Sequence, residues 1–216
     1  MTPIRVSATA VEAFRLFMQP DNEWMTLEAL ELQILGRSPV SDAMRIGTAF
    51  GQIIEHGGDR YRQGSLFVCN GVQFLGDGMQ AAIDTYDRRG LFEVKGTQLY
   101  GDVLVVAKAD HLIGRHLTET KTTLNAFDFD KYAASVQWKL MADIFDPRRV
   151  TYKVALLNEF APMTYEVREL VPFNLYPYDA LHEDCETIVA QFREFAVARG
   201  LDVPLRARQA SIEEAA

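Results

Sequence analysis

Residues 107–123 read AKADHLIGRHLTETKTT, and this stretch decides the fold because it predicts two strands joined by a tight turn. Gly114, the first residue of that turn, suits a type II′ hairpin loop of two residues. With this loop Asp110 lies directly opposite Glu119, and the side chains of a directly opposed pair point to the same face. Lys121 shares the face of Glu119 because strand side chains alternate. The stretch therefore predicts a hairpin that gathers two carboxylates and one ammonium group.

Two like charges that lie directly opposite each other are unfavourable, so this pair needs either solvent or a cation between them. Mg²⁺ prefers oxygen ligands and commonly takes one or two carboxylates together with water and substrate phosphate. A lysine one strand step away can deprotonate or position an attacking water. These are the parts of metal-assisted phosphodiester hydrolysis. The alternative is that Glu119-Thr120-Lys121 is a solvated face with a weak ion pair.

Apolar periodicity and turn residues predict the other elements of the chain. Helical patterns cover about residues 26–35, 43–55, 127–145 and 178–199, and strand patterns cover residues 92–94, 98–112, 150–158 and 164–171. The predicted order along the chain is helices, strands, a helix, strands and a helix. Some strands are joined by hairpins, and one connection between strands passes through a helix. This order predicts an α/β fold with a mixed central β-sheet flanked by helices. We expect a single domain over residues 1–200 and a polar C-terminal tail over residues 201–216.

Two helical segments carry further candidate residues. Gly47, Gly51 and Glu55 are four apart and form one stripe of a helix, where each glycine costs about 1 kcal/mol relative to alanine. The stripe indicates a close approach by backbone or ligand, or else tight helix packing beside an exposed glutamate. Gln137 lies on the apolar side of a later helix, either as a satisfied amide at the core edge or as a group aimed into a site. His111 is expected on the face opposite Asp110, as a structural or solvated histidine.

Composition and charge limit the possible functions. The 216 residues are 48% apolar and 24% charged with a formal net charge of −8, which argues against a general nucleic-acid coat protein. An acidic chain remains compatible with a metal-dependent enzyme that acts on phosphates, with positive charge concentrated in one groove. Two cysteines cannot form a disulfide framework or a four-cysteine metal site. The longest uncharged stretch, residues 63–76, is too short for a membrane span, and without a signal peptide we expect a cytoplasmic protein.

Several short motifs, taken in order, resemble the PD-(D/E)XK nuclease superfamily, and within it the RecB-like and phage-recombination exonuclease branch. Each motif alone is weak, whereas the ordered set covers more than half of the chain. The matching segments are VSATAVEAF (6–14), GTAFGQIIE (47–55), Asp110, Glu119-Thr120-Lys121 and QWKLM (137–141).

The resemblance implies a metal site and a catalytic lysine. Mg²⁺ or Mn²⁺ would be held by Asp110, Glu119 and the backbone carbonyl of Thr120. Glu55 would match the helix glutamate that supports the metal site, and Lys121 would match the lysine that handles the attacking water. The resemblance thus implies a metal-dependent DNA nuclease, with an exonuclease of phage or prophage recombination or repair type favoured.

Gln137 would match a glutamine near the substrate, but the chain departs from the family pattern at two other positions. Gly51 stands where many members have histidine, and Met141 stands where they have tyrosine. These departures motivate one alternative, a catalytically impaired nuclease-fold protein that binds DNA or another protein. A further alternative keeps catalysis and is an endonuclease of the same superfamily. The resemblance also suggests a homo-oligomer and a single-strand annealing protein as partner.

Overall fold

A computed structural model describes residues 2–20, 22–23 and 25–214. Within these residues nine strands form one sheet. They are β1 (Ile4–Ser7), β2 (Arg62–Gln63), β3 (Leu66–Cys69), β4 (Val72–Leu75), β5 (Leu91–Tyr100), β6 (Val103–Ile113), β7 (His116–Thr123), β8 (Arg149–Ala161) and β9 (Thr164–Leu175).

Helices cover the sheet, and a short 3₁₀ helix (Asp59–Tyr61) precedes β2. The helices are α1 (Ala8–Phe17), α2 (Leu27–Ile34), α3 (Asp42–His56), α4 (Gly76–Asp84), α5 (Phe129–Ala133), α6 (Val136–Phe145), α7 (Leu181–Ala198) and α8 (Asp202–Glu214). Ser7, Thr26 and Ser41 cap the first three helices, each through a side-chain oxygen that accepts from the backbone N–H three residues later. Among the helices described here, none is long and apolar enough to cross a membrane.

The sheet is mixed, as predicted. Its strand order is β1-β6-β7-β8-β9-β4-β3-β2, and β5 pairs with β6 outside this path. The pairs β1/β6, β7/β8 and β4/β9 are parallel, whereas the other pairs are antiparallel. The prediction of an α/β fold with a mixed sheet flanked by helices in a single domain is therefore confirmed.

Strand β6 has a gap along one edge that positions the candidate site. Strand β5 pairs with β6 along almost all of its length. On the other edge β1 pairs only with Val103 to Val106, and β7 pairs only with His111 to Ile113. Residues 107–110 therefore face an opening between β1 and β7. The side chain of Asp110 lies at this opening.

Two apolar clusters form the core. The larger cluster packs α1, α6 and α7 against β1, β6, β7 and β8, and the smaller one packs α3 and α4 against β3, β4 and β9. Aromatic residues fill both: the Phe14 ring meets that of Phe192 edge-on, and Phe50 meets Phe74 in the same way. Helices α3 and α6 belong to different clusters, so the space between them is a boundary where a cavity can form.

The sequence-based boundaries need three corrections. Residues 201–216 are not simply a polar tail, because α8 forms there and packs on β1, with Leu201, Leu205 and Gln209 buried along one stripe. The helix predicted over residues 127–145 is interrupted between α5 and α6, where Ser135 caps α6. The strand predicted over residues 98–112 is a hairpin of β5 and β6, because the chain turns at Gly101, which has φ +59°.

Candidate active site

The β6–β7 hairpin has the predicted turn. Gly114 adopts φ +56°, as the first position of a type II′ loop requires, and His111 pairs with Thr118 in the predicted register. The ladder stops one pair short of Asp110 and Glu119, because the two strands diverge there. Both carboxylates nevertheless line one cavity of about 770 Å³. The hairpin thus brings the two acids to a common space without a regular β-pair between them.

A backbone hydrogen bond replaces the missing pair. The N–H of Thr120 donates to Oδ2 of Asp110 at 2.7 Å, which ties the Asp110 carboxylate across the opening to β7. The Thr120 hydroxyl lies within 2.7 Å of the Tyr86 hydroxyl. Both contacts fix the segment between Glu119 and Lys121. The assignment of the Thr120 carbonyl as a metal ligand stays a prediction.

Three side chains form a hydrogen-bonded cluster at the cavity wall. The Lys121 ammonium donates to Oε1 of Glu119 at 2.7 Å and to Oε1 of Gln137 at 3.2 Å. The Gln137 amide donates to the same Glu119 oxygen at 3.1 Å. Ser135 caps the helix at this point by accepting from the backbone N–H of Gln137, which holds Gln137 at the start of α6. Sequence elements far apart in the chain therefore meet at one carboxylate.

The second carboxylate oxygen of Glu119 has no hydrogen-bond partner among the residues that the structure describes. Glu119 is only 3% exposed, and its Oε2 atom is fully buried without a hydrogen bond. A buried acceptor that is left unsatisfied costs about 1–3 kcal/mol, and more when it is charged. An unsatisfied carboxylate oxygen beside a second carboxylate, that of Asp110, is the arrangement expected where a cation binds.

The charges at the site perturb one another. Burial, together with the neighbouring charge of Glu119, raises the pKa of Asp110 to about 7 against the opposing effect of Lys121. Burial by itself lowers the pKa of Lys121, but Glu119 and Asp110 outweigh it, so this pKa lies above its ordinary value. Lys121 is therefore a protonated donor in the structure, and Asp110 is a carboxyl group that is costly to ionise without a cation.

The residues fit a hard divalent cation bound by two protein carboxylates. Nowhere among the described residues do three or more His, Cys, Asp or Glu side chains gather where they could hold a metal ion. Mg²⁺ does not require such a set, since it keeps several waters and is often bound by one or two carboxylates with substrate phosphate. Glu55 lies on the wall of the same cavity and outside the Asp110–Glu119 pair. The structure thus brings Asp110, Glu119, Lys121 and Gln137 together. Glu55 lines the same cavity but lies apart from this cluster.

The glycine stripe of α3 faces the cavity. A Cβ atom at Gly51 would meet nothing within 4 Å, and one at Gly47 would lie 3.5 Å from the Thr122 hydroxyl, an ordinary contact. The expectation of a close backbone approach, or of tight helix packing, is therefore wrong. Gly47 and Gly51 line the cavity together with Glu55, so the absence of their side chains leaves space beside the carboxylates of Asp110 and Glu119.

Gly51→Ala tests what this space is for. We expect the alanine to stabilise the protein by about 0.5–1 kcal/mol, because glycine is a poor helix residue and nothing obstructs the added methyl group. Urea unfolding of the variant and of Gly47→Ala, as the matched substitution one turn earlier, measures the effect. A loss of stability at Gly51 would contradict an open cavity at this position.

Three charged residues that line the cavity were not predicted as site residues: Glu93, Lys95 and Lys108. They lie on β5 and β6, whose hairpin was not predicted. The buried His111 is structural, as expected: its Nε2–H donates to the Asp87 carbonyl at 2.9 Å, and burial lowers its pKa. The wall carries three lysines and four carboxylates, so the expected concentration of positive charge is absent from this cavity in the metal-free protein.

The fold and the site together define an α/β protein with a carboxylate–lysine cluster in an open cavity. No family model matches the sequence, and a search of curated proteins finds no match. Among solved structures, the alkaline exonuclease LHK-Exo from Laribacter hongkongensis aligns at a TM-score of 0.50 and 16% identity over 98% of this chain and 96% of that chain. The phage-related exonuclease from Haemophilus somnus 129PT aligns at a TM-score of 0.48 and 9% identity, over 99% and 97% of the two chains.

These similarities concern the fold, because the sequence identities are low. The chain has the fold of an alkaline exonuclease over nearly its whole length. The mixed sheet flanked by helices that the resemblance implied is the fold that the structure shows.

Proposed function

We propose that the protein is a metal-dependent deoxyribonuclease that hydrolyses phosphodiester bonds from the ends of linear DNA. The observation that carries the proposal is the buried, unpartnered Oε2 of Glu119 beside Asp110, with the Lys121 ammonium bound to the other Glu119 oxygen. The shared fold with an alkaline exonuclease favours digestion from ends over internal cutting. Phage or prophage-type recombination or repair is the biological setting that the sequence resemblance suggests.

Asp110 and Glu119 would hold Mg²⁺ or Mn²⁺. When bound there, such a cation would supply charge stabilisation at the phosphate and activation of a water molecule. Four carboxylates and three lysines line the cavity, so the metal-free wall repels a phosphodiester, and a divalent charge reverses that balance. Glu55, on the α3 side of the cavity, would support this site through water rather than by direct contact with the Asp110–Glu119 pair.

The chain's own residues then position the reacting groups. Lys121 is held by Glu119 and Gln137, so its ammonium can donate to a water or to a phosphate oxygen at a fixed point. Both ends of the Gln137 amide are engaged inside this cluster, since its oxygen accepts from Lys121 and its nitrogen donates to Glu119. We therefore assign Gln137 to positioning these two residues, with orientation of the substrate following from that.

Digestion of linear and covalently closed circular DNA tests the proposal. Purified protein should release nucleotides from linear DNA with Mg²⁺ or Mn²⁺, leave closed circles intact and stop when a chelator is added. Cutting of closed circles would instead support an endonuclease. Failure to cut any linear DNA, whatever its end type, with either cation would contradict the proposal.

A non-catalytic DNA-binding or protein-binding module is the second candidate, and Met141 favours it. This residue is fully buried and has no hydroxyl group, so the substrate contact of the family's tyrosine is missing here. A titration with Mg²⁺ and Mn²⁺ separates the two candidates, because the module requires no cation. The homo-oligomer and the single-strand annealing partner stay predictions from the resemblance.

A further inference from the structure

Glu93 has a backbone conformation that its position in a strand does not explain. Its φ is +55°, in the left-handed region that non-glycine residues rarely adopt. The other non-glycine residues with positive φ in the described chain lie at turns or at a helix end: Asn70, Asp146 and Met163. Glu93 alone among them lies inside a strand, β5.

The pairing register places this strained residue beside the candidate metal site. Phe92 pairs with His111 and Val94 with Ala109, so Glu93 falls opposite Asp110, at the one position where the β5–β6 ladder lacks a pair. Glu93 and Asp110 line the same cavity. Backbone strain of this kind persists only where the surroundings impose it, and it is concentrated at functional sites.

The Glu93 carboxylate forms an ion pair with Lys108, two residues before Asp110 on β6. Both partners are more than one third exposed, and exposed ion pairs contribute little to stability. The pair therefore does not offset the cost of the strained backbone. What it does is hold an ammonium group at the mouth of the cavity, on the same strand face as Asp110.

We propose that Lys108 contacts a backbone phosphate of the DNA that enters this cavity, and that Glu93 is its positioning residue. The inference rests on the proposed function, because it takes a nucleic-acid strand as the ligand of the cavity. Lys121 is tied to Glu119 and Gln137 inside the cluster, whereas the half-exposed Lys108 ammonium can reach a phosphate outside it. A phosphate contact of this type is independent of base sequence.

The salt dependence of DNA binding tests the role of Lys108. Fluorescence anisotropy at fixed Ca²⁺, with a duplex whose linkages are phosphorothioates, measures the Kd across a series of KCl concentrations. Lys108→Ala should weaken binding about 5–10-fold and reduce the slope of log K against log[KCl] by about 0.9, one phosphate contact. Lys139→Ala is the matched control, because Lys139 also pairs with a carboxylate, Asp184, but lies outside the cavity. The Kd and the salt slope of Lys139→Ala should equal those of the wild-type protein.

Glu93→Gln tests positioning by the direction of its effect. If Glu93 were only a negative charge near DNA, its removal would strengthen binding. If it holds Lys108, the substitution weakens binding about 2–5-fold in the wild-type background and not in Lys108→Ala. Glu93→Gly removes the carboxylate and relieves the left-handed strain, so it should weaken binding similarly while raising the Tm by about 1–3 °C.

Three results would overturn the inference or its basis. A Lys108→Ala slope equal to those of the wild-type and Lys139→Ala proteins overturns the phosphate contact. Tighter binding by Glu93→Gln overturns the positioning role. Wild-type protein that binds no DNA contradicts the proposed function itself, and this outcome differs from the first two because it is seen before any substitution is made.

Discussion

Lys121→Ala is expected to lower the rate of DNA hydrolysis by about 10³-fold or more, with the fold intact. A positioned proton donor or acceptor contributes about 10²–10⁴-fold to a hydrolytic rate. The ammonium also neutralises part of the charge of Glu119, to which it donates at 2.7 Å. The amide of Gln137 still donates to Glu119 in the variant, so the carboxylate keeps one partner. Release of nucleotides from linear DNA with Mg²⁺ measures the loss.

A matched lysine separates chemistry from a general loss of positive charge. Lys139→Ala removes an ammonium from the same molecule, on the adjacent helix α6, and should cut at the wild-type rate. Thermal unfolding followed by circular dichroism should show that both variants are folded. Unimpaired cutting by folded Lys121→Ala would contradict the role assigned to Lys121.

Asp110→Asn is expected to stabilise the metal-free protein and to remove its response to Mg²⁺. Burial and the charge of Glu119 raise the Asp110 pKa from 3.8 to about 7, so the ionised carboxylate is a burden on the folded state. Below about pH 3 the group is protonated in both states and the destabilisation is absent; it grows as the pH rises and is complete above about pH 7. The amide oxygen of asparagine can still accept from the Thr120 N–H.

Urea unfolding in chelator measures this effect. At pH 8 the free energy of unfolding of the variant should exceed that of the wild-type protein by about 1–3 kcal/mol, and at pH 4 the difference should fall to about 0.6 kcal/mol or less. Asp146→Asn is the control, because Asp146 is an exposed carboxylate that pairs with Arg115 at a helix end and does not line the cavity. It should leave stability unchanged or slightly lower it. An Asp110→Asn protein that is less stable than wild type at pH 8 would contradict the repulsion.

Local chemistry made much of the fold predictable. The Gly114 turn fixed the β6–β7 register, and capping side chains such as Ser41 marked where helices begin. Asn70 and Gly71 both have positive φ in the β3–β4 turn, as an Asn-Gly hairpin requires. Each of these signals lies within a few residues of the turn or helix end that it specifies, so it can be recognised from the sequence alone.

The remainder of the site depends on contacts between distant segments. The position of Glu93 depends on the β5–β6 hairpin, whose turn at Gly101 lies within a continuous run of strand-forming residues. Gln137 meets Glu119 only because α6 packs against β5, β6 and β8, and no local pattern fixes that packing. The point at which β7 separates from β6, next to His111, likewise depends on a distant segment, because β1 pairs with the other end of the same edge of β6.

Titration calorimetry with Mg²⁺ tests the central claim most directly, namely that Asp110 and Glu119 share a divalent cation. Wild-type protein at pH 8, without DNA, should bind Mg²⁺ with a saturable heat, and its thermal stability should rise with cation concentration. Asp110→Asn should lose both responses, while Asp146→Asn keeps them. A wild-type protein that shows neither response, or an Asp110→Asn protein that retains both, would contradict the account.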